Sequence, residues 1–211
     1  MSSYGLLTVA RGDLPAQFLG SFRESALVAW DIETTGLDWR EARIGTCQLF
    51  AEGTGAAVVS IEPGVRPPRL VSLLEDEAVP KVFHHAPFDL RFMTHEWGAR
   101  PAAVRCTKVA SKLIEPHAPN AAHSLQSLVA RYLGVELRKG PVRTSDWTAG
   151  QLSPEQIEYA AADVVHLPAL LKALTARLGR LDLDWLYDRC CYFLPAQAAL
   201  EVGGYPDVFA Y

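Results

Sequence analysis

Short apolar runs separated by turn-forming residues dominate the first third of the chain. Residues 26–30 (ALVAW), 44–50 (IGTCQLF) and 56–61 (AAVVSI) are too short for typical helices, and stretches such as Glu52-Gly53-Thr54-Gly55 divide them. They predict three consecutive strands joined as an antiparallel meander. A fourth, brief strand is predicted at 81–84 (KVFH), after a short helix at 67–74. Beyond it the spacing of apolar residues becomes helical. Residues 87–97 have proline in the first turn and Gly98 just past the end, the usual asymmetry of helix termini. Two more helices are predicted, at 107–114 and 124–133, the second with Leu125, Leu128, Val129 and Leu133 on one face. Residues 138–148 (RKGPVRTSDWT) read as a polar, basic loop. Ser153-Pro154-Glu155-Gln156 combines a capping serine, a first-turn proline and a glutamine at the capping-box position. The helix it starts is predicted to run to about residue 178, with Pro168 as a kink or break. Strands come first and helices later, so the pattern calls for a mixed sheet packed by helices, an α/β protein.

The polar residues that interrupt this pattern carry the chemistry. The first strand run leads into Asp31-Ile32-Glu33. Residues i and i+2 of a strand share a face, which places these carboxylates about 6–7 Å apart at Cα. Like charges at that range repel, more so when buried, and a positive group between them is called for. Asp89 falls in the first turn of the helix after the fourth strand. Tyr159 and Asp163 are four residues apart on one face of a later helix, separated by Ala160, Ala161 and Ala162, which would let something approach closely. Each feature alone has an ordinary structural reading. Asp89 could simply favour a helix dipole, the acidic strand end could be a turn, and the Tyr–Asp pair could lie on a solvated face.

Order and context change that balance. Asp31-Ile32-Glu33-Thr34-Thr35-Gly36-Leu37, Cys47-Gln48-Leu49, Phe88-Asp89, Cys106-Thr107-Lys108, Ser145-Asp146-Trp147 and Gln156 through Val164 follow one another along the chain, and Tyr192-Phe193-Leu194-Pro195 and Gly204 through Phe209 close it. In this set the chain resembles the DEDD superfamily of 3′–5′ exonucleases, in the subtype with a tyrosine in its last motif, and within it ribonuclease D. The other subtype needs a histidine five residues before the last aspartate, where this chain has Glu158. His166, three residues after Asp163, is read as structural or solvated.

The resemblance implies a ribonuclease H-like mixed sheet of five to six strands flanked by helices. It implies Asp31, Glu33, Asp89 and Asp163 as ligands of two divalent metal ions, Mg²⁺ or Mn²⁺, with Tyr159 completing the catalytic set by orienting the attacking water. The substrate would be the 3′ end of a single-stranded nucleic acid, RNA rather than DNA, tRNA precursors among the candidates. Candidate substrate contacts are Thr34 and Leu37 after the first strand, His85 and Phe88 in the second motif, and Arg138, Lys139 and Arg143 in the basic loop. Leu37 could equally plug the local core, and Phe88 shares a helical spacing with Phe92 that suits a core residue. Many relatives carry asparagine where this chain has His85. The helical nucleic-acid-binding repeats of long ribonuclease D proteins are not expected here. His84, His85 and His95 could be offered as zinc ligands, but their spacing fits no usual pattern.

Composition narrows the remaining classes. At 211 residues the chain is expected to form a single exonuclease domain over 1–211, with a C-terminal helical extension at about 180–211 packed on it. A net charge of −4 argues against a protein that coats nucleic acid non-specifically, though not against an acidic nuclease site filled by cations. Arginine outnumbers lysine fifteen to five, which bears on phosphate recognition only if the arginines cluster. No apolar run approaches a membrane span, and the first residues, Met1-Ser2-Ser3-Tyr4, do not read as a secretory leader. Cysteines 47, 106, 190 and 191 show no C-x-x-C spacing, so reduced thiols and a cytoplasmic setting are expected. A DNA exonuclease of the same chemistry and a catalytically silent nucleic-acid-binding module are the alternatives.

Overall fold

The computed structural model describes residues 5–137, 145–148 and 151–210. A six-stranded mixed sheet runs through its centre in the order β1-β4-β3-β2-β5-β6. The strands are β1 (Leu7–Arg11), β2 (Val28–Thr34), β3 (Ile44–Ala51), β4 (Gly55–Ser60), β5 (Lys81–Phe83) and β6 (Val104–Cys106). The antiparallel meander predicted from the three apolar runs is β2-β3-β4. To it are added β1 parallel to β4, β5 parallel to β2, and β6 parallel to β5. At the β3–β4 turn, a Cβ on Gly55 (φ +97°) would stand 2.3 Å from the Leu6 carbonyl oxygen, so only glycine lets β1 approach here.

Alternation along the strands separates two faces. Trp30, Ile32, Cys47, Leu49, Ala57 and Val59 enter the main core. There they join buried residues of α2 (Pro68–Leu74), α3 (Ala86–Trp97) and α7 (Leu167–Arg180). Each fully buried Leu, Val, Ile or Phe contributes about 1.5–3 kcal/mol relative to exposure, which makes this face the main source of stability. On the other face Ala56 and Val58 pack with Ala160 and Ala161 of α6 (Pro154–Val165), together with Trp147 and Leu152. Asp31 and Glu33 alternate with Trp30 and Ile32 and therefore project to the α6 side. A one-residue slip of β2 would bury them in the main core, so the register is strongly specified.

The helices α4 (Thr107–Ile114) and α5 (Leu125–Leu133) occupy the predicted stretches, the latter capped by the Ser124 Oγ, which accepts the Ser127 N–H at 3.2 Å. The single helix predicted from Ser153 to about 178 is two. α6 ends at Val165, His166 forms the joint, and α7 starts at Leu167 with Pro168 in its first turn, where a missing N–H costs nothing. The expected C-terminal helix is α8 (Asp184–Val202), which lays Tyr187, Cys191, Leu194 and Ala198 inward and packs on α3 and α4. Residues 203–210 are not helical, so the expected 180–211 extension is helical over only part of its length. The short helix α1 (Ala16–Arg23) and the strands β1 and β6 were not foreseen. All four cysteines are free thiols. Among the described residues no helix is long and apolar enough to cross a membrane.

Candidate active site

β2 is longer than its apolar run. It continues through Asp31 and Glu33 to Thr34, with a register shift between Glu33 and Thr34 where the strand leaves the sheet. Both carboxylates meet Asp163 of α6, and one oxygen from each of the three lies within 4.8 Å of the other two. α6 can come this close because Ala160 and Ala161, fully buried, are the residues that touch the sheet. Asp89 enters from the first turn of α3. It is 2 % exposed, and its Oδ1 accepts the backbone N–H of Ile32 at 3.3 Å, between the two acids of β2.

Crowding shows in the protonation of these groups. Burial, and then the Asp163 charge, pushes Asp31 well above the ordinary carboxylate range. Burial followed by the Asp31 charge does the same to Asp89. Asp163 is also raised by burial, offset in part by a hydrogen bond from the Tyr159 hydroxyl. Tyr159 is pushed strongly upward, first by burial and then by Asp163, Glu33 and Asp31, so it stays a neutral phenol at any working pH. Converging, half-desolvated carboxylates fit hard divalent cations, which prefer oxygen ligands. Among the described residues, Asp31, Glu33 and Asp163 are the one group so arranged. His84 points its Nδ1 to the Thr107 hydroxyl at 2.9 Å, His95 packs edge-on against Trp39, and among the described residues no histidine belongs to a group placed to hold a metal ion. His166, at the α6–α7 joint, is half-buried, and burial lowers its pKa.

Several residues of the site lie in or beside the quoted motifs without a site role assigned from the sequence. Gln48 stands opposite Asp31 in the β2–β3 register, and Thr46 opposite Glu33. The Gln48 Nε2 donates to the Asp31 Oδ2 at 2.5 Å, and the Thr46 hydroxyl donates to the Gln48 Oε1 at 3.1 Å. Both side chains are fully buried. The signal was present: two polar residues at alternate positions of an otherwise apolar strand. Gln156 does more than cap α6. Besides accepting the Ser153 N–H at 2.9 Å, it donates to the Ser145 hydroxyl and the Asp146 carbonyl, each at 3.0 Å. These bonds tie residues 145–148 to α6 and set Trp147 beside Tyr159, ring centroids 6.0 Å apart.

A cleft of about 610 Å³ opens beside the acids, lined by Ile32 to Leu37, Phe88, Ser145, Asp146 and Trp147. It gathers three of the sequence-predicted substrate contacts. The Thr34 hydroxyl donates to the Gly36 carbonyl at 2.6 Å and fixes the turn that presents Leu37. Leu37 is 86 % exposed, so it is not a core plug. Phe88 is half-buried at the cleft wall and also packs on Phe92, ring centroids 4.9 Å apart. His85 does not line this cleft. It is exposed, with φ +71° and ψ +43°, at the junction of β5 and α3. That left-handed backbone is one that histidine, like asparagine, adopts more readily than most residues. Arg138, Lys139 and Arg143 lie outside the described residues. Among the described residues several arginines pair singly with acids, as in Arg11–Glu62, Arg23–Asp76 and Arg69–Asp13.

Comparison with known proteins agrees with this geometry. Residues 8–179 match the family model described as 3′-5′ exonuclease. The chain belongs to the 3′–5′ exonuclease family. Within this exonuclease family it is 38 % identical over 140 residues to Ribonuclease D of Gluconacetobacter diazotrophicus, a match covering 66 % of this chain and 35 % of that protein. It thus spans about a third of the length of that relative. Among solved structures, Brucella melitensis NrnC is 36 % identical with a TM-score of 0.88, covering 97 % of this chain and 98 % of NrnC. NrnC has also been solved with bound Mg²⁺ and bound to pGG. The mixed six-stranded sheet flanked by helices is the ribonuclease H-like arrangement of these exonucleases.

Proposed function

We propose that this chain is a metal-dependent 3′–5′ exoribonuclease that removes nucleotides from single-stranded RNA ends. The observation that carries the reading is the convergence of the Asp31, Glu33 and Asp163 carboxylates, with Asp89 and Tyr159 alongside, at the mouth of the Leu37 cleft. The likeness to Ribonuclease D, and to NrnC solved with Mg²⁺ and with pGG, supports RNA as substrate and a divalent cation such as Mg²⁺ as cofactor.

Asp31, Glu33, Asp89 and Asp163 would hold two divalent cations. Bound there, the cations would supply Lewis-acid activation of a water and charge neutralisation at the scissile phosphate and the departing 3′ oxygen. The chain's own residues do the rest. Tyr159 remains protonated, so it is no base; its hydroxyl orients the attacking water while bonded to Asp163. Leu37 and Phe88 offer apolar surface to the terminal base, and the Thr34–Gly36 hydrogen bond holds Leu37 at the lip of the cleft. Trp147, buried and tied to α6 through Gln156, forms the rigid opposite wall. Rigid walls keep the phosphate aligned with the acids, which is where much of the rate enhancement of such sites resides.

Hydrolysis of 5′-labelled single-stranded RNA and DNA of equal sequence, side by side with Mg²⁺, Mn²⁺ or EDTA, tests this reading. Stepwise shortening of RNA from its 3′ end with either cation, and none in EDTA, is the expected result. Faster cleavage of DNA would replace the substrate assignment, and binding without cleavage under every condition would mark a silent module.

A further inference from the structure

We propose that Gln48 is a positioning residue for Asp31 and that Thr46 sets Gln48, a two-step relay on β3 that prepares the acid of β2 to ligate a cation. The inference rests on the exonuclease reading above and adds to it the residues that make its first acid a competent ligand.

Three features of the geometry point to it. Gln48 lies directly across the sheet from Asp31, and its Nε2 donates to the Asp31 Oδ2 at 2.5 Å. The Thr46 hydroxyl donates to the Gln48 Oε1 at 3.1 Å. The acid fixes which end of the amide faces it, because the flipped amide would set the Gln48 oxygen against the Asp31 oxygen, and the Thr46 hydroxyl then holds the far end of the amide in place. Neither side chain has any solvent exposure, so water cannot substitute for either bond. A buried glutamine in a strand that is otherwise apolar is costly unless every polar atom is matched, and here the match ends on the acid.

The residue type suits the task. Glutamine holds one oxygen of Asp31 with a neutral donor, leaving the carboxylate charge for the cation. A lysine or arginine in its place would compete with the metal for that charge. Anchoring one oxygen also removes rotational freedom from Asp31 before the cation arrives. Partners of this kind, which orient a ligand rather than bind the metal, typically change metal affinity or activity by about 10–100-fold when removed.

The test uses Gln48→Met, close in volume but without a donor, Thr46→Val, and the double variant. Mn²⁺ binding is measured by titration calorimetry and single-stranded RNA hydrolysis is followed across Mn²⁺ concentration, with thermal unfolding as a check on folding. Gln48→Met is expected to raise the Mn²⁺ dissociation constant about 10–100-fold, with much of the lost hydrolysis recovered at saturating Mn²⁺. Thr46→Val should shift affinity in the same direction by less. The double variant should bind no more weakly than Gln48→Met, because Thr46 acts through Gln48. A folded Gln48→Met with the wild-type dissociation constant, or additive losses in the double variant, overturns the proposal. If Gln48→Met does not fold, Thr46→Val decides: unchanged Mn²⁺ affinity overturns the relay. Wild-type protein that takes up no Mn²⁺ would instead bring down the exonuclease reading, and this inference with it.

Discussion

The Asp89 Oδ1 accepts the N–H of Ile32, the residue between Asp31 and Glu33, across 57 positions of sequence. β5 pairs with β2 only at Val28 and Ala29, so beyond that point the edge of β2 facing β5 lacks a strand partner. The chain turns at His85 into α3, and the carboxylate of its first turn supplies the missing acceptor. One side chain thus completes the sheet and supplies an acid to the site. The two roles separate by substitution. Asparagine can still accept the Ile32 N–H but carries no charge, whereas alanine does neither. Asp89→Asn should keep a melting temperature at or above wild type without metal and lose several orders of magnitude in hydrolysis. Asp89→Ala should lose both stability, by about 1–3 kcal/mol, and activity. Paired thermal unfolding and steady-state rates check this.

The tyrosine and its aspartate differ in weight. Tyr159→Phe removes only the hydroxyl proposed to orient water and should lower kcat by about 10–100-fold. Asp163→Asn removes a proposed ligand of the cation site and should lower it by at least about 10³-fold, beyond what orientation alone supplies. Equal losses from the two substitutions would contradict these roles, and kcat for both on one RNA at saturating Mg²⁺ is the measurement.

Protonation gives a metal-free signature. The folded-state pKa values of Asp31, Asp89 and Asp163 are raised above their unfolded values by burial and by neighbouring acids. Between the ordinary carboxylate range and those raised values, the folded protein binds more protons than the unfolded chain. The acids' contribution to stability must therefore fall as pH rises through that window, while His84, His85 and His166, whose pKa values burial lowers, act in the opposite direction on the acid side. In EDTA the melting temperature of wild type relative to Asp31→Asn should therefore be higher at pH 5 than at pH 8. Mn²⁺ should restore stability at pH 8. Thermal scans across pH, with and without Mn²⁺, read this directly.

Exposure separates contact from support at Leu37. At 86 % exposed it makes little contribution to the fold, so Leu37→Ala should leave the melting temperature within experimental error. If Leu37 meets the terminal base, KM for single-stranded RNA should rise several-fold. Unchanged KM would remove it from the substrate contacts.

Gly45 provides the opposite case, a stability position behind the site. A Cβ there would lie 2.6–2.8 Å from Trp147 backbone and Cβ atoms, and no flexible side chain can yield to relieve it. Gly45→Ala should destabilise by about 1–3 kcal/mol, the usual range for forcing an extra methyl into a packed core. Because Trp147 walls the cleft, RNA hydrolysis should fall as well, and urea unfolding with parallel rate measurements reads both.

Much of this fold is readable in the sequence because β2, β3 and β4 carry dense apolar runs and α3, α5 and α6 carry their own capping signals. The acids stood out through the order of the motifs that resemble the exonuclease family; the spacing of Asp31 with Glu33 on a strand and of Tyr159 with Asp163 on a helix left ordinary readings open, and Asp89 had only its place in a first helical turn. What escaped did so for physical reasons. β1 is a half-exposed edge strand of five residues, and β6 is three residues long, so neither is long enough to hold a period to detect. Tertiary packing supplies both. α8 buries Tyr187, Cys191, Leu194 and Ala198 but exposes Trp185 and Tyr192, which blurs its stripe. Gln48 and Gln156 were visible as residue types, yet their importance depends on cross-strand register and on a loop 10–11 residues away, neither of which a local pattern contains.

The central claim is that four acids drawn from β2, α3 and α6 hold divalent cations. Anomalous scattering from crystals soaked in Mn²⁺ tests it without recourse to activity. The account predicts manganese peaks between Asp31, Glu33, Asp89 and Asp163, within carboxylate bonding distance and beside the Tyr159 hydroxyl. Ordered carboxylates with no manganese among them would contradict it.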